Sequence, residues 1–152
     1  MKVIGLGAPA SVRIRFDAYE LDVLVDVLRE QRADATRDAA DTYATTPPTQ
    51  TRPIDDRHDR LRAVEGLLMQ LEEQPPDNRP GAVLVGETDL MCDVARDGAR
   101  EALRRLQEAH ERYTDDGASP QARDALVNAT KTAKAWVVTL TAVDQVDHGW
   151  DA

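Results

Sequence analysis

Between positions 11 and 16 apolar and polar residues alternate, Val12, Ile14 and Phe16 against Ser11, Arg13 and Arg15. That is the period of a strand with one wet face. A shorter apolar run at 2–6 precedes it across the turn Gly7-Ala8-Pro9-Ala10 and predicts a partner strand. From Asp17 the period lengthens. Leu21, Leu24, Val25 and Leu28 make one helical stripe, and Glu20 follows Asp17 at the spacing that lets the two residues cap a helix start. Beyond Arg32 the stripe continues only as Ala35, Ala39 and Tyr43, so those turns need a close neighbour or fray.

The segment 45–53 holds three prolines and four threonines and predicts a loop. A second helix is expected from about 55 to 74, with Leu61, Val64, Leu68 and Leu71 on one face. The prolines and glycine of 75–81 end it, Val83 to Val85 reads as a third strand, and a third helix runs from about 88 to 113. Ser119-Pro120 is a strong helix start. The stretch 136–143 is rich in β-branched residues. The spacing of Ala122, Leu126, Ala129, Ala133, Trp136, Leu140 and Val143 nevertheless favours a fourth helix.

These elements predict a mostly α protein with α+β character: a four-helix bundle-like layer with two or three short strands, in a single domain over 1–152. Strand, helix, helix occurs twice in that order. At an offset of 67, Asp22, Asp26, Val27, Arg29 and Glu30 fall on Asp89, Asp93, Val94, Arg96 and Asp97. An internal pseudo-twofold repeat of 11–74 on 82–148 is one account of the match, and shared helix composition is the other.

Charge removes more functions than it suggests. The net charge of −9 is spread evenly, with 10 basic and 14 acidic residues in 1–76 and 9 and 14 in 77–152. Neither half has the basic face that nucleic-acid binding needs. With the single cysteine Cys92 there is no internal disulfide and no thiol-rich metal site. The apolar run 3–10 is too short and glycine-broken for a membrane span or a signal segment, so a cytoplasmic protein without membrane contact is expected.

Several constellations suggest chemistry, each beside a plainer account. Gly5-Leu6-Gly7-Ala8-Pro9-Ala10 matches a dinucleotide-binding turn, but the helix that must follow at once is replaced by the strand 11–16. Asp22 and Asp26 on the first helix, with Asp89 and Asp93 on the third, form matched acidic stripes extended by Glu30 and Asp97. Carboxylates so spaced repel one another, which a divalent metal between the helices would relieve. Arg29, Arg32, Arg96 and Arg100 are placed to neutralise the same stripes. Asp55 with His58 has the acid-x-x-His spacing of carboxylate-bridged metal bundles only once, and His58, His110 and His148 do not meet in an up-and-down topology. Cys92 reads as a buried structural thiol. Ala95, Gly98, Ala99 and Ala102 form a small-residue strip that lets another helix approach.

Trp136, Val137, Val138 and Leu140 make the fourth helix apolar nearly all round, which predicts a surface covered by a second chain. The functional expectation is a non-catalytic interaction or structural protein, a homo-oligomer or accessory subunit without a cofactor. One alternative is a metal-dependent helical-bundle enzyme using the acidic stripes. The other is an acidic inhibitor or immunity-type protein that presents Asp34, Asp38 and Asp41 together with Asp144, Asp147 and Asp151 to a basic partner.

Overall fold

The computed structural model describes residues 3–5, 11–47, 49, 52–74, 81–115 and 117–147. Two strands, β1 (Val3–Gly5) and β2 (Ser11–Phe16), lead through a 3₁₀ turn (Ala18–Glu20) into α1 (Leu21–Thr45) and α2 (Arg52–Glu73). Then come β3 (Ala82–Glu87), α3 (Thr88–Asp115) and α4 (Pro120–Asp147). The fold is mostly α with α+β character, as the periodicities predict. α2 starts three residues earlier than expected because Pro53 falls in its first turn, where its missing N–H breaks no helical hydrogen bond. The glycine-rich turn after β1 lies outside the described residues.

The strands form one antiparallel sheet in the order β1-β2-β3, with Ile14 opposite both Val3 and Leu84. The alternation along β2 does what it promises: Val12, Ile14 and Phe16 are buried while Arg13 and Arg15 are exposed. Below that apolar face lies one core, built from Val23, Leu24, Val27 and Leu28 of α1, Val64 and Leu67 of α2, Leu90 and Val94 of α3, and Trp136 and Val143 of α4. Ala35 and Ala39 continue the α1 stripe into the interior, whereas Tyr43 is exposed.

Strand, helix, helix occurs twice, with a difference at the junctions. β3 runs straight into α3, but residues 17–20 separate β2 from α1. The helix starts are therefore offset by 67 (88 − 21) and the strand starts by 71 (82 − 11). The extra residues carry Glu20 into the interior.

At two of the described positions a Cβ would collide with rigid neighbours. Gly81 has φ +120°, and a Cβ there would lie 1.9 Å from the carbonyl oxygen of Phe16. At Gly98 a Cβ would fall 2.1 Å from Cζ3 of Trp136. The small-residue strip of α3 is thus the seat of the tryptophan ring, whose other neighbour is Phe16 at a centroid distance of 5.4 Å.

β3 is an edge strand, and its outer edge is occupied by side chains. Gln70 Nε2 donates to the Val85 carbonyl at 2.9 Å, and the Val85 N–H donates to Gln70 Oε1 at 2.8 Å. Gln74 repeats both bonds with Val83, at 2.7 and 2.8 Å. Two amides one helical turn apart thereby match two backbone sites two residues apart on the strand.

Candidate functional site

The acidic stripes of α1 and α3 do not face each other. Asp26 of α1 accepts a hydrogen bond from Arg105 far along α3, and Gln31 Nε2 donates to Asp97 Oδ2 at 3.0 Å nearer its start. Residue numbers thus rise on one helix as they fall on the other: the helices are antiparallel. That crossing sends Asp22 and Asp26 to one end and Asp89 and Asp93 to the other. Arginines answer the charges locally. Asp93 accepts from Arg60 Nη2 at 2.6 Å and lies 3.9 Å from Arg96, which is 4.0 Å from Asp144. Asp22 and Asp89 are exposed.

Among the described residues no three His, Cys, Asp or Glu side chains are grouped as a metal site would require. Millimolar Mg²⁺, Mn²⁺, Ca²⁺ or Zn²⁺ should therefore leave the melting temperature unchanged, and a rise would bring the metal reading back. His58 and His110 are exposed, and His148 lies outside the described residues. Cys92 is buried.

Where α1, α2 and α3 meet, a cleft of about 470 Å³ is lined by Gln31, Asp34, Asp38, Arg57, Arg60, Asp93 and Asp97, with Ala35 at its floor. Its walls carry both signs of charge. Of the acids expected to face a basic partner, Asp34 and Asp38 line this cleft, and Asp144 connects to it through Arg96 and Asp93. Asp41 is exposed on α1, while the Asp147 side chain and Asp151 lie outside the described residues. Further along α3, Glu101 receives Arg104 and Arg105, and Arg105 also holds Asp26. The Arg104 hydrogen bond is the main cause that lowers the Glu101 carboxyl to about 2.

One ionisable side chain is fully enclosed. Glu20 has 0% exposure. Its Oε1 accepts the Asp17 N–H at 3.0 Å, half of the capping box that the sequence predicts. Its Oε2 lies 2.7 Å from Thr139 Oγ1 on α4, and that hydroxyl is also 3.1 Å from the Ala135 carbonyl. Burial raises the carboxyl from 4.5 to about 7, against the lowering effect of the Asp17 N–H and the Thr139 hydroxyl. Sequence reasoning finds the cap and misses the burial, because only the α4 packing covers the cap.

The four apolar residues that the sequence assigns to an interface are divided by the fold. Trp136 is fully buried in its own chain and Leu140 packs against the core, whereas Val137 and Val138 are 44% and 51% exposed. Val127 on α4 and Leu103 on α3 are exposed as well. Between these helices runs a shallow groove lined by Leu103, Leu106, Gln107, His110, Leu126 and Thr130.

No family model, no curated protein and no solved structure matches the chain. Among the described residues eight large hydrophobic side chains are exposed, and Leu103, Val127, Val137 and Val138, all on α3 and α4, are half of them. The others, Tyr19, Tyr43, Met69 and Val85, sit on four different elements. No described helix is long and apolar enough to cross a membrane.

Proposed function

We propose that this is a non-catalytic, self-associating interaction protein whose contact surface is the outward face of α3 and α4. The observation that carries the reading is that half the exposed large hydrophobics belong to α3 and α4, the two helices that also line an apolar groove. Val127, Lys131, Lys134 and Val138 follow one another at helical spacing, so the valines share a face with two of the chain's three lysines. Lysine stems extend an apolar surface while their charges stay in water. Lys131 does this over the ring of Tyr19, at 5.6 Å from its centroid.

The magnitudes permit association. Leu103, Val127, Val137 and Val138 are already about half buried, so each adds about half of the roughly 1.5–3 kcal/mol of full burial, and a twofold pairing that covers four from each copy gains roughly 6–12 kcal/mol. That gain is of the same order as the roughly 4–15 kcal/mol of lost freedom on association. A chain with a single cysteine, which permits no internal disulfide, suits the cytoplasm, where the reading places the protein.

Light scattering after size exclusion should give a mass near twice 16.8 kDa. Val138→Asp should return it to one copy with an unchanged circular dichroism spectrum, because a charge in a dry interface is costly while an exposed one is not. A wild-type chain that runs as one copy at micromolar concentration would defeat the reading, and a stable complex with a different protein would replace homo-oligomer by accessory subunit.

A further inference from the structure

The Gln70 and Gln74 amides stand where the backbone of another strand would stand. β3 pairs with β2 through one edge. Its other edge presents the N–H and C=O of Val83 and Val85, and both groups of both residues are engaged by the glutamines. An added antiparallel strand would make the same four bonds, because a hydrogen-bonded residue pair exchanges two. The run 82–86 (Ala-Val-Leu-Val-Gly) carries no charge and is rich in residues that suit strands, and its outward-facing Val85 is exposed. An edge of that composition is a template for pairing unless something covers it.

We propose that Gln70 and Gln74 form a strand-mimicking guard that keeps β3 from pairing with β3 of a second copy of this chain. The identical strand is the fitting occupant because the run is self-complementary in antiparallel register. Centred on Leu84, it sets Val83 against Val85 of the second copy and Val85 against Val83. Both residues present outward backbone groups, so these are hydrogen-bonded pairs, and four bonds close one sheet from the two. The guard holds the edge shut in the folded chain because each copy keeps four glutamine bonds of its own, eight in two copies against four after pairing. Removal of the amides takes those eight bonds away and leaves the backbone groups of Val83 and Val85 open to a new partner. This surface is separate from the α3 and α4 face.

The test is the mass of Gln70→Ala/Gln74→Ala in a Val138→Asp background, which keeps the α4 face out of the measurement whether or not that face associates. The guardless chain should double in mass with rising concentration while the Val138→Asp parent does not. Hydrogen exchange at the Val83 and Val85 amides should slow as the doubled species forms. Adding Val85→Lys should restore the parental mass, since a charge on the edge opposes strand pairing. Gln70→Glu/Gln74→Glu is the second route: it retains the acceptors, sets carboxylates against the strand carbonyls and keeps good helix formers in α2. Parental mass in both variants at every concentration would overturn the proposal. So would exchange at Val83 and Val85 that ignores concentration, and so would loss of the fold in both variants, which would make the amides part of the core.

Discussion

Gly98→Ala should destabilise the protein by about 3 kcal/mol, the upper end of the usual cost of forcing one extra carbon into a packed interior. The new Cβ would stand 2.1 Å from Cζ3, 2.3 Å from Cε3 and 2.5 Å from Cη2 of Trp136. These atoms belong to a rigid ring, so a flexible side chain cannot swing clear. The ring cannot retreat either, because Phe16 lies on it at 5.4 Å and its residue is fully buried. At roughly 2–4 °C per kcal/mol for a chain of this size, the melting temperature should fall by about 6–12 °C. Trp136→Phe combined with Gly98→Ala should cost less than the two single changes added together, since the smaller ring vacates the space that the methyl needs. Additive losses, or a drop below 1 kcal/mol in the single variant, would show that α3 and α4 adjust freely at their closest approach.

Stability should fall as pH rises from 4.5 to 7, and Glu20 is the reason. Its carboxyl is raised in the folded state, chiefly by burial, from 4.5 to about 7. The folded chain thus binds the proton more tightly than the unfolded one, so the contribution is complete below 4.5, declines as pH rises and is gone above 7. A shift of that size corresponds to about 3 kcal/mol. The geometry accommodates the protonated form. With Oε1 held by the Asp17 N–H, Oε2 carries the proton and donates to Thr139 Oγ1, while the hydroxyl turns to the Ala135 carbonyl. Glu101 acts in a different window: its lowered carboxyl contributes above 4.5 and loses that contribution only as pH falls toward 2. Urea unfolding at pH 5 and pH 8 should therefore give a lower midpoint at pH 8. Glu20→Gln should flatten the dependence and exceed the wild type at pH 8 by about 2 kcal/mol, since the amide brings no buried charge. Equal midpoints for the wild type at the two pH values would refute the assignment, as would a Gln variant weaker than wild type at pH 8.

The acidic stripes show how far a spacing argument reaches. Asp22 with Asp26, and Asp89 with Asp93, do share helix faces, because intervals of four are set by the helix itself. Whether the two faces meet depends on the crossing of α1 and α3, and the pairing of Asp26 with Arg105 shows an antiparallel one. Their counter-ions come partly from elsewhere in the chain, Arg105 for Asp26 and Arg60 for Asp93, and partly from the same helix, Arg96 for Asp93.

The sequence by itself determined the elements and the buried face of β2, since the alternation at 11–16, the helical periods and the prolines act within a few residues of chain. The helix stripes were legible only in part, because α1 buries Val23 and Val27 while Leu21 and Val25 are half-buried, and α2 buries Leu67 while Leu61 and Leu71 are half-buried. It also determined the small-residue strip of α3 and the helical state of α4, both matters of local period and side-chain size. Only the tertiary structure decided that Gly98 receives Trp136, that Val137 and Val138 face outward while Trp136 does not, and that α2 glutamines close the edge of β3. It alone turned the Glu20 cap into a buried acid against Thr139. Each of these joins residues distant in the chain, and their meeting is fixed by helix crossings and sheet register, which no local period encodes.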